Sequence, residues 1–170
     1  MSIIGNNTGF TLIELIVVIT LVSIMLFFTM PKFHYAVLGN EATDVSLWIV
    51  GKSKALKESA VYNQKNYALE VGINDNRLWI SDESMSDEDI DLAIDQGFQL
   101  SSGARIIDVE YPDKRGKVSS GTIKISFYKK GYSDKALIHL AKSDDKVLSF
   151  LFEPFLSKIK IFDEYIEFDS

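Results

Sequence analysis

The sequence predicts an α+β fold, in which one long N-terminal helix packs on antiparallel β-sheets. Three observations support this class: an uncharged apolar run near the N-terminus, a helical apolar pattern directly after it, and closely spaced strand patterns over residues 67–170. The chain has 170 residues, of which 46% are apolar and 25% are charged, and this is the size and composition of one domain with a sizeable core.

The apolar run is long enough for a membrane-spanning helix. Leu15–Met30 reads LIVVITLVSIMLFFTM without a charge, and the run extended back to Phe10 contains a single charged residue, Glu14. Since a helix rises about 1.5 Å per residue, about twenty residues span a hydrocarbon core of about 30 Å. Residues 10–31 are therefore predicted to form a single transmembrane helix.

A cleaved secretory signal and an ordinary signal anchor both fit this run less well. A secretory signal would begin with basic residues and end at a small-residue cleavage site. Met1–Gly9 contains no Lys or Arg, and Pro31-Lys32-Phe33 follows the run instead. A signal anchor leaves Glu14 unexplained, because a carboxylate in the bilayer costs about 2.5–3.5 kcal/mol at the helix centre and less near an end.

The residues GFTLIELIVVITLVSIMLFFTMP resemble the N-terminal signature of type IV prepilins and type II secretion pseudopilins. The resemblance implies a pilin-like fold and a leader, residues 1–9, that a prepilin peptidase removes after Gly9. The same enzyme would methylate the new N-terminus at Phe10. Glu14 is then the fifth residue of the mature chain and Pro31 the twenty-second, where the family has its glutamate and proline.

The position of each of these residues has a physical explanation. Gly9 has no side chain, so a peptidase can approach the backbone closely. Within a helical bundle, the carboxylate of Glu14 can neutralise the ammonium at Phe10 of a neighbouring subunit, and low dielectric strengthens that attraction. Desolvation offsets much of this gain, so the pair is expected to set the register of assembly more than to add stability. Pro31 lacks an amide proton and is expected to bend the helix.

Residues 32–66 are predicted to continue the helix as an amphipathic segment, which ends near Asn63–Asn66 before a β-rich globular domain over residues 67–170. The apolar stripe of this segment consists of Val45, Trp48, Ile49, Ala55, Leu56 and Ala60. Trp48 is expected in the core. Strands are predicted at Tyr67–Ile73, Arg77–Ile80, Ala104–Tyr111, Thr122–Tyr128, Ala136–Ala141, Val147–Phe152 and Lys158–Phe168. Asn74-Asp75-Asn76 suits the turn of a hairpin between the first two.

The acidic segment over residues 81–97 has two interpretations. Asp87, Asp89 and Asp91 alternate as at the start of a calcium loop, but the sixth position lacks glycine and Phe98 occupies the twelfth, where glutamate is required. A short helix fits better, with Ser86 as its N-cap, acidic residues in its first turn and Gly97 at its end. No metal site or cofactor is predicted.

Other function classes receive little support from the sequence. The net charge is −6, and the basic pairs Lys129-Lys130 and Lys114-Arg115 are short, so nucleic acid is not an expected partner. The chain has no cysteine. His34 and His139 are expected to have structural or surface roles, and no enzymatic activity is predicted.

Residues 122–168 resemble the C-terminal half of the H-type minor pseudopilins and their pilin relatives. The resemblance rests on Phe127, Gly131, Ser133 and the strand residues Ile138-His139-Leu140. It implies a minor pseudopilin of the type II secretion pseudopilus, which assists export of folded proteins across the outer membrane.

The family resemblance also implies a location and partners. The chain would be a single-pass protein of the bacterial inner membrane with its C-terminal domain in the periplasm. Its partners would be the prepilin peptidase, other pseudopilins or pilins, an inner-membrane assembly platform, and membrane lipid before assembly. Two alternatives stay open: a minor type IV pilin in pilus initiation, adhesion or DNA uptake, and a membrane-anchored binding module that does not assemble.

Overall fold

The computed structural model describes residues 11–29, 41–113, 115–142, 146–156 and 158–168. The chain divides into two units, Met1–Leu38 and Gly39–Ser170. In the first unit, helix α1 covers Leu12–Thr29. The elements of the second unit are helices α2 (Glu41–Asn63) and α3 (Asp87–Asp95) and strands β1 (Tyr67–Gly72), β2 (Arg77–Asp82), β3 (Phe98–Gln99), β4 (Ala104–Glu110), β5 (Lys117–Val118), β6 (Thr122–Phe127), β7 (Ala136–Lys142), β8 (Val147–Phe152) and β9 (Lys160–Phe162).

Helix α2 presents one face to the core. The buried residues of that face recur at steps of three and four and are Val45, Ile49, Ser53, Leu56 and Ala60. Trp48 is half-buried and packs against Phe98, with ring centroids 5.3 Å apart, which confirms its predicted place at the core. The prediction for Ala55 is wrong, since it is exposed. At 3.6 residues per turn, position 55 points away from the face that position 53 shares with Ile49.

The C-terminal end of α2 matches the sequence prediction. The helix ends at Asn63, and Gln64 adopts a left-handed conformation with φ of 53°, which ends helical hydrogen bonding. The Gln64 side-chain amide donates to the Val61 carbonyl oxygen at 2.7 Å. The predicted kink at Pro31 and the predicted continuity of the helix through residues 32–40, including His34, lie outside the described residues.

The first sheet, called sheet A, has the strand order β3-β2-β1-β6, and its pairs are antiparallel. The predicted hairpin is confirmed, because Gly72 pairs with Arg77 across the turn that contains Asn76. Asn76 has a φ of 49°, a conformation that Asn tolerates better than most residues. Its side-chain oxygen accepts a hydrogen bond from the Ile106 amide at 2.8 Å, and this bond links the hairpin to β4.

The second sheet, called sheet B, is also antiparallel and has the order β5-β4-β7-β8-β9. Tyr111, which follows β4, joins the two sheets: its hydroxyl donates to the Lys124 carbonyl oxygen of β6 at 2.8 Å. Burial raises the pKa of Tyr111 to about 12. One hydrophobic core is formed by α2 and both sheets. The predicted class, a helix on antiparallel β-sheets, is therefore confirmed.

The last predicted strand is much shorter than expected. Of residues 158–168, only β9 pairs in the ladder. The following residues, 163–168, are called the C-terminal strap here, and their backbone groups bond to side chains of sheet B instead of to another strand. The Ile166 amide donates to the Ser149 hydroxyl at 3.2 Å, and the Phe168 amide donates to a Glu110 carboxylate oxygen at 3.2 Å. The side chains of sheet B therefore replace a ladder partner for this segment.

The acidic segment forms the predicted short helix. Ser86 caps α3, and its hydroxyl accepts from the Asp89 amide while the Asp89 carboxylate accepts from the Ser86 amide, so the capping box is complete. Gly97 lies just beyond the helix. A Cβ there would come within 2.9 Å of the carbonyl oxygens of Ile94 and Leu78. Gly97 is thus required for close packing between α3 and β2.

Candidate processing and assembly segment

Helix α1 begins at a local signal that the sequence analysis missed. The Thr11 hydroxyl accepts a hydrogen bond from the Glu14 amide at 3.3 Å, and the Thr11 carbonyl oxygen accepts from the Leu15 amide at 3.2 Å. Thr11 is therefore the N-cap, and Thr11-Leu12-Ile13-Glu14 has the spacing of a capping box. Glu14 lies in the first turn, where a carboxylate interacts favourably with the helix dipole. The same residue thus favours helix initiation in addition to its expected role in assembly.

The hydroxyl groups of Thr20 and Ser23, within the apolar helix, are satisfied by the helix itself. Thr20 donates to the Ile16 carbonyl oxygen at 2.7 Å, and Ser23 donates to the Ile19 carbonyl oxygen at 2.7 Å. Such bonds to the preceding turn let polar residues lie in an apolar environment without an unpaired hydroxyl. Thr20 and Ser23 therefore add no unpaired hydroxyl group to the surface of α1.

In the first three turns of α1, the apolar side chains are exposed around the helix. The large apolar residues from Leu12 to Val22 are each 45–78% exposed. A helix that is apolar on every side is stable only where lipid or other protein covers it. This property fits a segment that packs into a bundle of like helices.

Among the described residues, no helix combines the length and the hydropathy needed to cross a bilayer. The transmembrane prediction for residues 10–31 stays a prediction.

Of the four predicted site residues, the structure describes Glu14. Gly9, Phe10 and Pro31 lie outside the described residues, so cleavage, methylation and the helix bend stay predictions. The Asp87, Asp89 and Asp91 side chains do not converge on a metal: no group of three or more potential ligand residues occurs in the described part of the chain. Asp89 is instead committed to the Ser86 cap.

The structure also contains a buried polar cluster that the sequence did not indicate. His139 on β7 is fully buried, and its Nδ1 lies 2.6 Å from an Asp108 carboxylate oxygen on the adjacent strand β4. Its Nε2 lies 2.7 Å from the Ile166 carbonyl oxygen of the C-terminal strap. The Tyr165 hydroxyl donates to the other Asp108 oxygen at 2.9 Å, and its ring stacks on the imidazole with centroids 4.0 Å apart.

The His139 imidazole makes two hydrogen bonds, one at each ring nitrogen. A carbonyl oxygen can only accept, so Nε2 donates its proton to Ile166. The proton of the second hydrogen bond lies between Nδ1 and the Asp108 carboxylate. Burial alone would raise the pKa of Asp108, but the hydrogen bonds from His139 and Tyr165 outweigh it and hold that pKa below its ordinary value. The cluster is covered by the strap, so it anchors that segment to sheet B. His139 therefore has the structural role that the sequence predicted, with Asp108 as the partner that the sequence did not reveal.

The turn that supported the resemblance to H-type pseudopilins has the expected form. Gly131 has a φ of 88° and its amide donates to the Tyr128 carbonyl oxygen at 2.9 Å. Ser133 is buried and forms an isolated bridge with Phe127. Strand β7 then follows at the centre of sheet B.

Comparison with known proteins gives two kinds of similarity. Residues 4–30 match the model of the prokaryotic N-terminal methylation motif. The minor pseudopilin EpsH from the type 2 secretion system of Vibrio cholerae has a similar fold, with 10% identity and a TM-score of 0.50 over 73% of this chain and 98% of that chain. A second EpsH crystal structure from the same system covers 75% of this chain and 96% of that one, with 9% identity and a TM-score of 0.49.

None of the curated protein sequences compared with this chain matches it. The similarity therefore rests on the N-terminal motif, which includes Gly9, Phe10 and Glu14, and on the fold. The motif and the fold agree: the motif predicts a pilin-like fold, and the α2 helix packed on antiparallel sheets is similar to the fold of a minor pseudopilin. The chain therefore carries a prokaryotic N-terminal methylation motif over residues 4–30, ahead of a domain whose fold is similar to that of a minor pseudopilin.

Proposed function

We propose that the chain is a minor pseudopilin, a structural subunit of a type II secretion pseudopilus that assists export of folded proteins across the outer membrane. The observation that carries this proposal is the methylation motif over residues 4–30 on a chain with the fold of a minor pseudopilin. In this role the chain is a filament subunit and performs no catalysis.

The N-terminal segment would act in two successive steps. A prepilin peptidase would first cleave after Gly9 and methylate Phe10, while residues 10–31 hold the chain in the inner membrane with its C-terminal domain in the periplasm. An assembly platform would then move α1 from lipid into a bundle formed with other pseudopilins. The exposed apolar surface of α1 supports this step, because both environments cover it.

Glu14 would guide entry into the bundle. Its carboxylate would attract the ammonium at Phe10 of the neighbouring subunit, and only the correct axial register would bring the two charges together. A subunit without this charge would leave the ammonium unpaired in a low-dielectric environment, which costs several kcal/mol. The charge of Glu14, more than its size, should therefore control incorporation.

The test uses Glu14→Gln, which keeps the shape of the side chain and removes its charge. We expect normal cleavage, but a loss of most processed protein from the sheared filament fraction and reduced export of folded secreted protein. Glu58→Gln is the control, because Glu58 is an exposed carboxylate paired with Lys54 at 3.9 Å and should tolerate the change. Normal incorporation of the Glu14→Gln chain would contradict the assembly role.

Processing has an independent test. Mass spectrometry of the mature protein should find N-methylated phenylalanine from Phe10 as the first residue. A functional protein that retains Met1 would contradict the processing proposal. A gene deletion that abolishes a pilus while export of folded proteins continues would instead favour a minor type IV pilin.

A further inference from the structure

The C-terminal strap is held on sheet B mainly through polar contacts to side chains. The Ser149 hydroxyl donates to the Glu164 carbonyl oxygen at 2.6 Å, and the Ile166 amide donates to the same hydroxyl at 3.2 Å. None of residues 163–168 is fully buried. A segment with little buried surface and no ladder partner is of the kind that opens locally while the rest of the domain stays folded.

The strap covers the outer face of sheet B. Side chains alternate along β7, so Leu137 and His139 point away from the face of the core residue Ile138. Leu137 is nevertheless only 1% exposed. It pairs with Glu110 of β4, and the Glu110 carboxylate accepts from the Phe168 amide of the strap. Opening of the strap would therefore uncover an apolar side chain together with the buried polar cluster.

The geometry of the cluster determines how many protons it must hold. His139 has an acceptor at each ring nitrogen: an Asp108 carboxylate oxygen 2.6 Å from Nδ1 and the Ile166 carbonyl oxygen 2.7 Å from Nε2. A neutral imidazole has one N–H and one lone pair, so beside an ionised Asp108 it can satisfy only one of the two acceptors. The other nitrogen would turn a lone pair toward an oxygen at hydrogen-bond distance. The closed strap therefore requires one additional proton, shared by the imidazole and the carboxylate.

The surroundings of Asp108 favour the ion-pair form of this cluster. The Tyr165 hydroxyl donates to the second Asp108 oxygen at 2.9 Å. Burial would raise the pKa of Asp108, but the hydrogen bonds from His139 and Tyr165 hold it below its ordinary value. The additional proton therefore lies on the imidazole when the strap is closed.

We propose that the strap is a latch closed by this proton, and that loss of the proton from the His139–Asp108 pair releases residues 163–168 from sheet B. The proton passes to solvent, and the imidazole becomes neutral. If it keeps its N–H at Nδ1, the Nε2 lone pair faces the Ile166 carbonyl oxygen. If it keeps its N–H at Nε2, the Nδ1 lone pair faces a buried carboxylate. Either contact is unfavourable, and opening relieves it by admitting water to both groups.

The other groups packed against this pair do not supply the switch. From β8, the contacting side chain is the uncharged Ser149. On the strap, burial and the bond to Asp108 raise the pKa of Tyr165, so its hydroxyl keeps its proton near neutral pH. From β5, Lys117 pairs with Glu167, and this hydrogen bond raises the pKa of Lys117. The charged groups at the two ends of the strap are Glu110, Lys142 and Asp163.

The sign of the pH dependence follows from linkage. The closed strap requires the additional proton, whereas the open state does not. An ordinary histidine in water titrates near about pH 6.5. Above that pH, opening releases one proton, so the opening constant rises up to about tenfold per pH unit until the closed state also loses the proton. The strap should thus be held most firmly between about pH 4 and about pH 6.5 and open as the pH rises further.

Hydrogen exchange of the full chain in a mild detergent tests the latch. At several pH values between about 6 and about 9, mass spectrometry follows the peptide that contains residues 163–168 and a reference peptide that contains β1, with rates corrected for the intrinsic effect of pH. We expect the protection of the strap to fall at least about tenfold over this range. The protection of β1 should stay unchanged.

Asp108→Asn is the decisive variant. The amide of Asn can donate to Nδ1 of a neutral His139 while Nε2 still donates to Ile166, so this strap needs no additional proton. Its protection should change less than about twofold over the same range. Lys142→Gln is the matched control: it removes the ion pair with Asp163, at 4.0 Å, and should lower the protection of the strap by a similar factor at every pH.

Three results would overturn the latch: strap protection in the wild type that is independent of pH, an equal pH dependence in Asp108→Asn, or a parallel loss of protection in β1, which would indicate global unfolding. The wild-type measurement decides the first and the third whether or not the variant folds. The latch does not depend on assembly into a filament, so its failure would leave the proposed function unaffected.

Discussion

Replacing Asp108 with alanine tests how the C-terminal strap is held. The Asp108 carboxylate accepts from both His139, at 2.6 Å, and Tyr165, at 2.9 Å, and these contacts lie on the face of sheet B that the strap covers. The alanine variant leaves His139 Nδ1 without its partner in a fully buried position. The strap then keeps the bond from His139 Nε2 to Ile166 but loses the one from Tyr165.

The expected cost follows from burial. Breaking a buried ion pair by removing one partner costs about 3–5 kcal/mol, because the remaining group stays desolvated. This is a large part of the total stability of about 5–15 kcal/mol that a domain has. With a urea dependence of about 2 kcal/mol per M, a loss of about 4 kcal/mol lowers the urea midpoint by about 2 M.

The assay is urea unfolding of the full chain in a mild detergent, followed by the fluorescence of Trp48 and Trp79. Both tryptophans lie in the second unit, so the signal reports on that unit. Asp108→Asn is the matched control. Its amide can donate to Nδ1 of a neutral imidazole and accept from Tyr165, so we expect a loss of about 1–2 kcal/mol. Equal midpoints for the alanine variant and the wild type would refute the reasoning.

Three further predictions concern stability. The pKa of Asp108 is depressed in the folded state, so its carboxylate should stabilise the fold fully above about pH 4. This stabilisation should be lost as the pH falls through the folded-state pKa. In acid, the urea midpoint of Asp108→Asn should therefore depend less on pH than that of the wild type. Ser53→Ala should be neutral or slightly stabilising in urea unfolding, because the Ser53 hydroxyl is buried without a hydrogen-bond partner among the described residues. Gly97→Ala should lower the free energy of unfolding by about 1–3 kcal/mol, because its Cβ would crowd two carbonyl oxygens. Gly51→Ala has open space around its Cβ and should add about 0.5–1 kcal/mol of helix stability. Equal effects of the two substitutions would contradict the packing role of Gly97.

Patterns along the sequence predict the elements that depend on local physics. The hairpin at Asn76 and the cap at Ser86 need only neighbouring residues, and the structure contains both. The helix periodicity of α2 indicates the correct end but places Ala55 in the core instead of Ser53. Apolar character predicts Ala55 in the core, but the angular position around the helix axis places Ser53 there instead.

Features that depend on distant residues could not be predicted. Asp108 and His139 are 31 residues apart, and only the pairing of β4 with β7 brings them together. The residues of the strap alternate in a way that predicts a strand, but their hydrogen-bond partners are side chains of sheet B. The one local signal for the cluster is a polar residue in the middle of each of two apolar strands. The predicted processing site is the reverse case, since its whole signal lies in one continuous segment of the sequence.

The order in which the chain enters its two sheets has a consequence for modularity. Strands β1–β3 lie in sheet A, β4 and β5 in sheet B, β6 in sheet A, and β7–β9 in sheet B. Neither sheet is a continuous stretch of sequence, so no single deletion or exchange replaces one sheet and leaves the other intact. A fragment that ends before β6 would expose the edge of β1 and invite pairing with another chain. Recombination with a related subunit can therefore succeed only by transferring the interleaved strands as one piece.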